Sequence, residues 1–211
     1  MCSTIIRSLL PRVILSLAII PLMITLAWSD QPKEPKTKLE AFTGTTGAVI
    51  IKGYTDVGTL SNYEAKDQIV LGGTIMGQVS VTAMSFRDAQ NGKEQRGLVV
   101  EVSETMFHRE ASSSFVDYDE IAGLLSGIDY VRKADHSVTK LKNFEATYST
   151  KGDLKVTVRN TLKGENIAPL KGGNIAVIGV GSIVKIYFSL PQLDKFRGLI
   201  VSAKSVLDDS Q

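Results

Sequence analysis

Few residues in this 211-residue chain have the types and spacing that chemistry needs. The densest acidic group is Asp117, Asp119 and Glu120, with Asp129 and Asp135 further along. Carboxylates this close could ligate a calcium ion or divide general acid and base roles between them. An ordinary structural reading competes. Asp119 is placed to cap a helix, Glu120 suits a first helical turn where the dipole favours negative charge, and Asp117 alternates with Val116 and so faces the solvent side of a strand. No D-x-D-x-D-G loop accompanies them.

The two histidines, His108 and His136, fall in the polar stretches HREASSS and KADHSVTK, which read as loops. Neither H-x-x-x-H nor H-E-x-x-H spacing is present, so a zinc site is not expected. The G-x-S-x-G elbow of one class of serine hydrolase is also missing. Glycines invite a phosphate-loop reading at KGGNIAVIGVGSIVK, where Gly179 and Gly181 supply G-x-G. The third glycine of a dinucleotide fingerprint would fall at Val184, and a strand rather than a helix follows. Gly72, Gly73 and Gly77 in LGGTIMGQ read as bulges or a bend in a long strand. No catalytic residue, metal ligand or cofactor is assigned on these grounds.

Before any of these groups can be positioned, the N-terminus must be accounted for. Residues 1–12 carry Arg7 and Arg12 and no acid; Val13 to Ala27 is an uncharged apolar run; Ala27 and Ser29 place small side chains at a cleavage site. These are the three zones of a secretory signal peptide, with cleavage after Ser29. A retained anchor helix is the alternative, but the run is shorter than the ~20 residues a spanning helix uses and contains Pro21. Cys2 lies too early for lipoprotein processing.

Discounting residues 1–29 changes the charge argument. The chain has 24 Lys and Arg against 22 Asp and Glu, and removing Arg7 and Arg12 leaves 22 against 22. A basic face for nucleic acid is therefore not expected. The sole cysteine, Cys2, leaves with the leader, and thiol chemistry with it. No stable membrane insertion is expected after cleavage, because neither amphipathic helix presents a basic face.

Residues 30–38, DQPKEPKTK, read as a flexible tether, and 39–211 as a single domain. TGAVIIKGYT, DQIVLGGTIMGQVSVTAMSFRD and RGLVVEVSE are strand-like, with Val79, Val81 and Ala83 alternating against Ser80, Thr82 and Met84. Asn91-Gly92 predicts a hairpin between the second and third runs. SSSFVDY is a further strand, and Asp119 opens a helix to Lys133 with Ile121, Leu124, Leu125, Ile128 and Val131 on one face. NFEATYST and DLKVTVRN form a hairpin at Lys151-Gly152; NIAVIGVG and SIVKIYF add two strands. Pro191 then opens a helix with Leu193, Phe196, Leu199, Ile200, Ala203 and Leu207 in its apolar stripe.

The order of elements repeats. Laying FVDYDEIAGLLSGIDYV over YFSLPQLDKFRGLIVSA matches Ile121 with Leu193, Leu124 with Phe196 and Ile128 with Ile200. One reading is an internal duplication of a hairpin-strand-helix unit sharing one continuous sheet; the other is that any strand-turn-helix pair aligns this way. Both give an α+β fold, an antiparallel sheet packed by two amphipathic helices.

SSSFVDYDEIAGLLSGIDYV, NFEATYSTKGDLKVTV and SLPQLDKFRGLIVSAKSVL together resemble a family of small exported proteins of unknown function, mostly bacterial. The resemblance implies a compact domain and brings no activity. The reading that follows is an exported, periplasmic or extracellular, non-enzymatic domain that binds a protein or small-molecule ligand. Two alternatives stand beside it: an exported hydrolase using carboxylates near Asp117 to Glu120 with His108, and an envelope-associated structural protein. N-terminal sequencing of the exported protein is expected to begin at Asp30; a chain that begins at Met1 in a membrane fraction would establish the anchor instead.

Overall fold

A computed structural model describes residues 34–62, 76–104, 111–162, 173–182 and 184–210, all within one contact unit, 34–211. The fold is α+β. In chain order it comprises α1 (Lys38–Thr43), β1 (Ile50–Ser61), β2 (Gly77–Asp88), β3 (Glu94–Glu104), β4 (Ala111–Asp117), α2 (Ile121–Arg132), β5 (Glu145–Ser149), β6 (Leu154–Asn160), β7 (Asn174–Val180), β8 (Val184–Phe188) and α3 (Leu190–Asp209). The strands form two antiparallel sheets, ordered β1-β2-β3-β4 and β5-β6-β7-β8. The expected continuous sheet is therefore corrected to two separate meanders. The repeat of topology is a four-strand meander followed by a helix, and it occurs twice.

Alternation dictates which face of each sheet is apolar. In the first sheet Val79, Val81, Ala83, Leu98, Val100, Val102 and Val116 are buried, and in the second Leu154, Val156, Val158, Ala176, Ile178, Val180, Val184, Ile186 and Phe188. These residues form one cluster with the buried stripes of both long helices. The three residue pairs matched along the sequence are all fully buried there: Ile121 and Leu193, Leu124 and Phe196, Ile128 and Ile200.

The helices are exchanged. α3, which follows the second sheet, lies mainly on β2 and β1 of the first; α2, which follows the first sheet, lies on β5 and β6 of the second. Their starts are tied across in the same way. Glu120 Oε1 accepts the Lys151 N–H in the β5–β6 turn at 2.9 Å, and Gln192 Nε2 donates to the Ser61 carbonyl at the end of β1 at 3.3 Å. Ser189 and Gln192 also form a capping box at the N-terminus of α3, which Pro191 enters as a first-turn residue.

α2 and α3 run antiparallel against each other and are joined by two reciprocal ion pairs. Arg197 reaches Asp129 at 2.7 and 2.9 Å, and Arg132 forms a second bidentate pair with Asp194. The hydrogen bond from Arg197 is the main reason the Asp129 carboxyl sits below the usual carboxylate range. Both pairs are well exposed, so screening keeps each contribution small.

Turn glycines have two distinct causes. Gly92 takes a left-handed φ of 71° at the expected β2–β3 hairpin, where Asp88 accepts the N–H groups of Gln90 and Asn91. At the β5–β6 turn the left-handed residue is Asp153, φ 66°, not Gly152. Gly152 is small for a different reason: a β-carbon there would overlap the Phe115 carbonyl of β4.

Two helical glycines predict opposite outcomes. Gly127 on α2 receives the face of the Tyr148 ring, which an added β-carbon would overlap, whereas nothing lies within 4 Å of one at Gly198 on α3. Gly127→Ala is expected to destabilise by roughly 1–3 kcal/mol through overpacking, and Gly198→Ala to stabilise by about 0.5–1 kcal/mol through helix propensity, both read from urea denaturation. The Asp129–Arg197 pair supplies an acid-limb test. Because the native carboxyl is depressed, its contribution is present above the usual carboxylate range and is lost as pH falls through the native value. The Tm difference between the protein and Arg197→Gln is thus expected to be full at pH 7, to begin shrinking only as pH falls through the ordinary carboxylate value of about 4, and to be lost once pH passes below the lower native value.

Candidate functional site

The acidic group expected from sequence does not converge. Asp117 closes β4 and is only 2% exposed, not solvent-facing as alternation implied. Its two oxygens accept the N–H groups of Lys38 and Leu39 at 2.9 and 3.0 Å, so this carboxylate holds the start of α1. The correction has a local cause: α1 packs on β3 and β4, and Leu39 is fully buried where a β-carbon on Gly97 would overlap it. Phe86, on the same parity as the neighbouring Met84–Gly97 pair, is buried on that face too. α1 itself begins inside the stretch read as tether. Thr37 is buried and its hydroxyl accepts the Glu40 N–H, a T-x-x-E signal legible in the sequence.

Asp119 does not cap α2; it lies in a short 3-10 turn over residues 118–120 and pairs with Lys38 at 2.7 Å. That hydrogen bond holds the Asp119 carboxyl below its ordinary value and raises the Lys38 ammonium. Glu120 points the other way, to the β5–β6 turn, and its second oxygen is buried without a partner. Nearby, burial first and the Glu120 charge second push the Tyr148 hydroxyl up. Asp129 serves the helix pair, and Asp135 accepts the Ser137 N–H at 2.7 Å; the Ser137 hydroxyl first and this N–H second lower its carboxyl. His136 is exposed and edge-on to Phe144, with ring centroids 5.3 Å apart. His108, Gly72 and Gly73 lie outside the described residues. Among the described residues no group of three or more His, Cys, Asp and Glu is placed to hold a metal ion, and no helix is long and apolar enough to cross a membrane.

A concavity among the described residues lies elsewhere, on the outward face of the second sheet. It is a groove of about 330 Å³. Strand register sets its floor as rows of residues. One row runs Ser149, Lys155, Gly179, Lys185; the next runs Thr147, Thr157, Val177, Tyr187; beyond it Glu145 pairs with Arg159. All of these residues line the groove, and Gly181 at the β7–β8 turn, φ 65°, closes one end.

Gly179 makes the hollow. It belongs to β7 rather than to a phosphate loop, and a β-carbon there would come within 2.8 Å of the Val184 carbonyl and 3.1 Å of the Lys185 stem. Beside it the Thr147 and Thr157 hydroxyls are 2.8 Å apart. Arg159 is already engaged, donating to the Asn160 carbonyl at 3.2 Å and lying 5.9 Å from the centre of the Tyr187 ring. Lys155 and Lys185 have no carboxylate partner among the described residues. Sequence reasoning passed over these groups. Their signal was the polar half of the alternation in LKVTVRN and KIYF, which says that Lys155, Thr157, Arg159, Lys185 and Tyr187 face outward but not that they surround one space.

No family model, curated protein or solved structure matches the chain.

The anchoring role of Asp117 is open to direct test. Asp117→Ala is expected to lower stability by about 1–3 kcal/mol, the range for removing a charged hydrogen-bond partner from buried donors, and to speed amide exchange in α1 while α2 and α3 stay protected. A variant with unchanged stability and exchange would free Asp117 for a chemical role.

Proposed function

We propose that this chain is an exported, non-enzymatic binding domain whose recognition face is the outward surface of the second sheet. The observation that carries this reading is the groove over Gly179. Its volume of about 330 Å³ lies at the lower end of the range of small-molecule sites, roughly 300–1,000 Å³. Its floor is a rigid sheet, buried on the opposite side by the common core, so the surface is preformed.

The lining suits recognition better than turnover. Threonine and serine hydroxyls, two lysines, an arginine and a tyrosine supply hydrogen bonds, and Val177 supplies apolar contact. No histidine lines it, and Glu145, its one carboxylate, accepts from the Thr147 hydroxyl at 3.4 Å, longer than the roughly 2.6–3.2 Å at which a base activates a nucleophile. Export rests on the leader pattern in residues 1–29.

Titration of isotopically labelled protein with glucose, glucuronate, alanine and inorganic phosphate tests the reading by NMR. Amide shifts are expected to concentrate at Thr147, Thr157, Gly179 and Tyr187, with no probe chemically changed. Shifts confined to the corner of Asp119 and Glu120, or hydrolysis of an ester analogue there, would put the hydrolytic reading in its place.

A further inference from the structure

The charge distribution in the groove narrows its ligand, and this step rests on the recognition face proposed above. Lys155 and Lys185 lie in one register row on either side of Gly179. Two strand spacings separate their backbones, about 10 Å. Between them the floor carries no side chain of its own, and the Lys185 stem leans over Gly179, its Cγ 3.1 Å from where a β-carbon would stand. Several cations of the described surface meet a carboxylate: Lys36 with Asp153, Lys38 with Asp119, Arg132 with Asp194, Arg197 with Asp129, Lys204 with Asp208. The lysine row has no such counter-charge among the described residues. At the other end of the groove Arg159 and Glu145 face each other across β5 and β6, one charge of each sign, so the positive excess lies at the lysine row.

We infer that the groove binds a small organic anion, with a carboxylate, phosphate or sulfate seated between Lys155 and Lys185 above Gly179. The body of the ligand lies along the Thr147–Thr157–Val177–Tyr187 row. There the paired hydroxyls offer both donor and acceptor capacity, and Val177 and Tyr187 present apolar surface. The opposite end, where Glu145 faces Arg159, has no net charge, so the anionic group sits at the lysine row and the ligand takes one orientation. Two ammonium groups converging on one oxyanion form charge-assisted hydrogen bonds, the stronger kind, in a concave site where screening is reduced.

Glucuronate, glucose and inorganic phosphate distinguish the possibilities, each titrated at low and physiological salt into the whole mature protein, Lys155→Gln, Lys185→Gln and the double variant. Lys195→Gln on the exposed side of α3 is the control. Glucuronate is expected to bind at least tenfold tighter than glucose, each groove lysine variant to lose about tenfold, and the double variant to erase both the preference and the salt dependence. Phosphate shifts at Lys155, Gly179 and Lys185 would likewise support the seat. Glucose binding as tightly as glucuronate with shifts in the groove, or lysine variants without effect, would overturn the anion inference and leave the recognition face standing. Absence of groove shifts with every probe would overturn both. Circular dichroism and Tm equal to those of the parent verify that the variants are folded.

Discussion

The apolar face of each four-stranded sheet is covered by the helix that follows the other sheet, and the architecture depends on that exchange. A meander with one apolar face must bury it. Here neither half can do so with its own helix, since α2 lies on β5 and β6 and α3 on β2 and β1. The buried stripes of both helices and the inner faces of both sheets therefore merge into a single cluster. Stability of either half is inseparable from the other, and 34–211 behaves as one contact unit.

The two halves solve the same local problems with different side chains. Where a helix meets the opposite sheet, Leu199 of α3 rests at Gly58 of β1, and Gly127 of α2 receives Tyr148 of β5. The large residue sits on the helix in one case and on the strand in the other, so volume is conserved while the partners trade roles. At the helix starts Glu120 and Gln192 both reach the opposite hairpin, one as acceptor from a turn N–H, the other as donor to a strand-end carbonyl. Close approach of the halves also explains Gly77 and Gly152: a β-carbon at either would overlap β8 or β4 respectively.

The groove follows from a break in this correspondence. On the first sheet, α1 covers part of the outward face, seated by Asp117 and by Leu39 over Gly97. On the second sheet the β7–β8 register ends at Ala176 opposite Phe188, one residue before Ser189. Ser189 does not seat another helix; its hydroxyl caps α3. Among the described residues no helix covers the row of Lys155, Gly179 and Lys185 on the outward face of the second sheet, and a packed core backs the strands.

Much of this was legible beforehand, residue by residue. Period-two alternation located β2, β3, β6 and β8, and spacing of three and four located the stripes of α2 and α3, because side-chain direction repeats with backbone geometry alone. The Asn91-Gly92 turn and the Pro191 helix start were equally local. What periodicity identifies is a shared face; it does not say what covers that face, since hydrophobic burial is non-directional. Asp117 was therefore placed toward solvent although α1 lies over it, and one sheet was expected where the chain builds two. Gly179 looked like part of a phosphate loop or a turn, and only cross-strand register made it the floor between two lysines. The sequence by itself determined the elements and their apolar sides. The tertiary structure decided which helix each sheet would bury against, and so which outward face stayed open, because that choice depends on contacts between residues far apart in the chain.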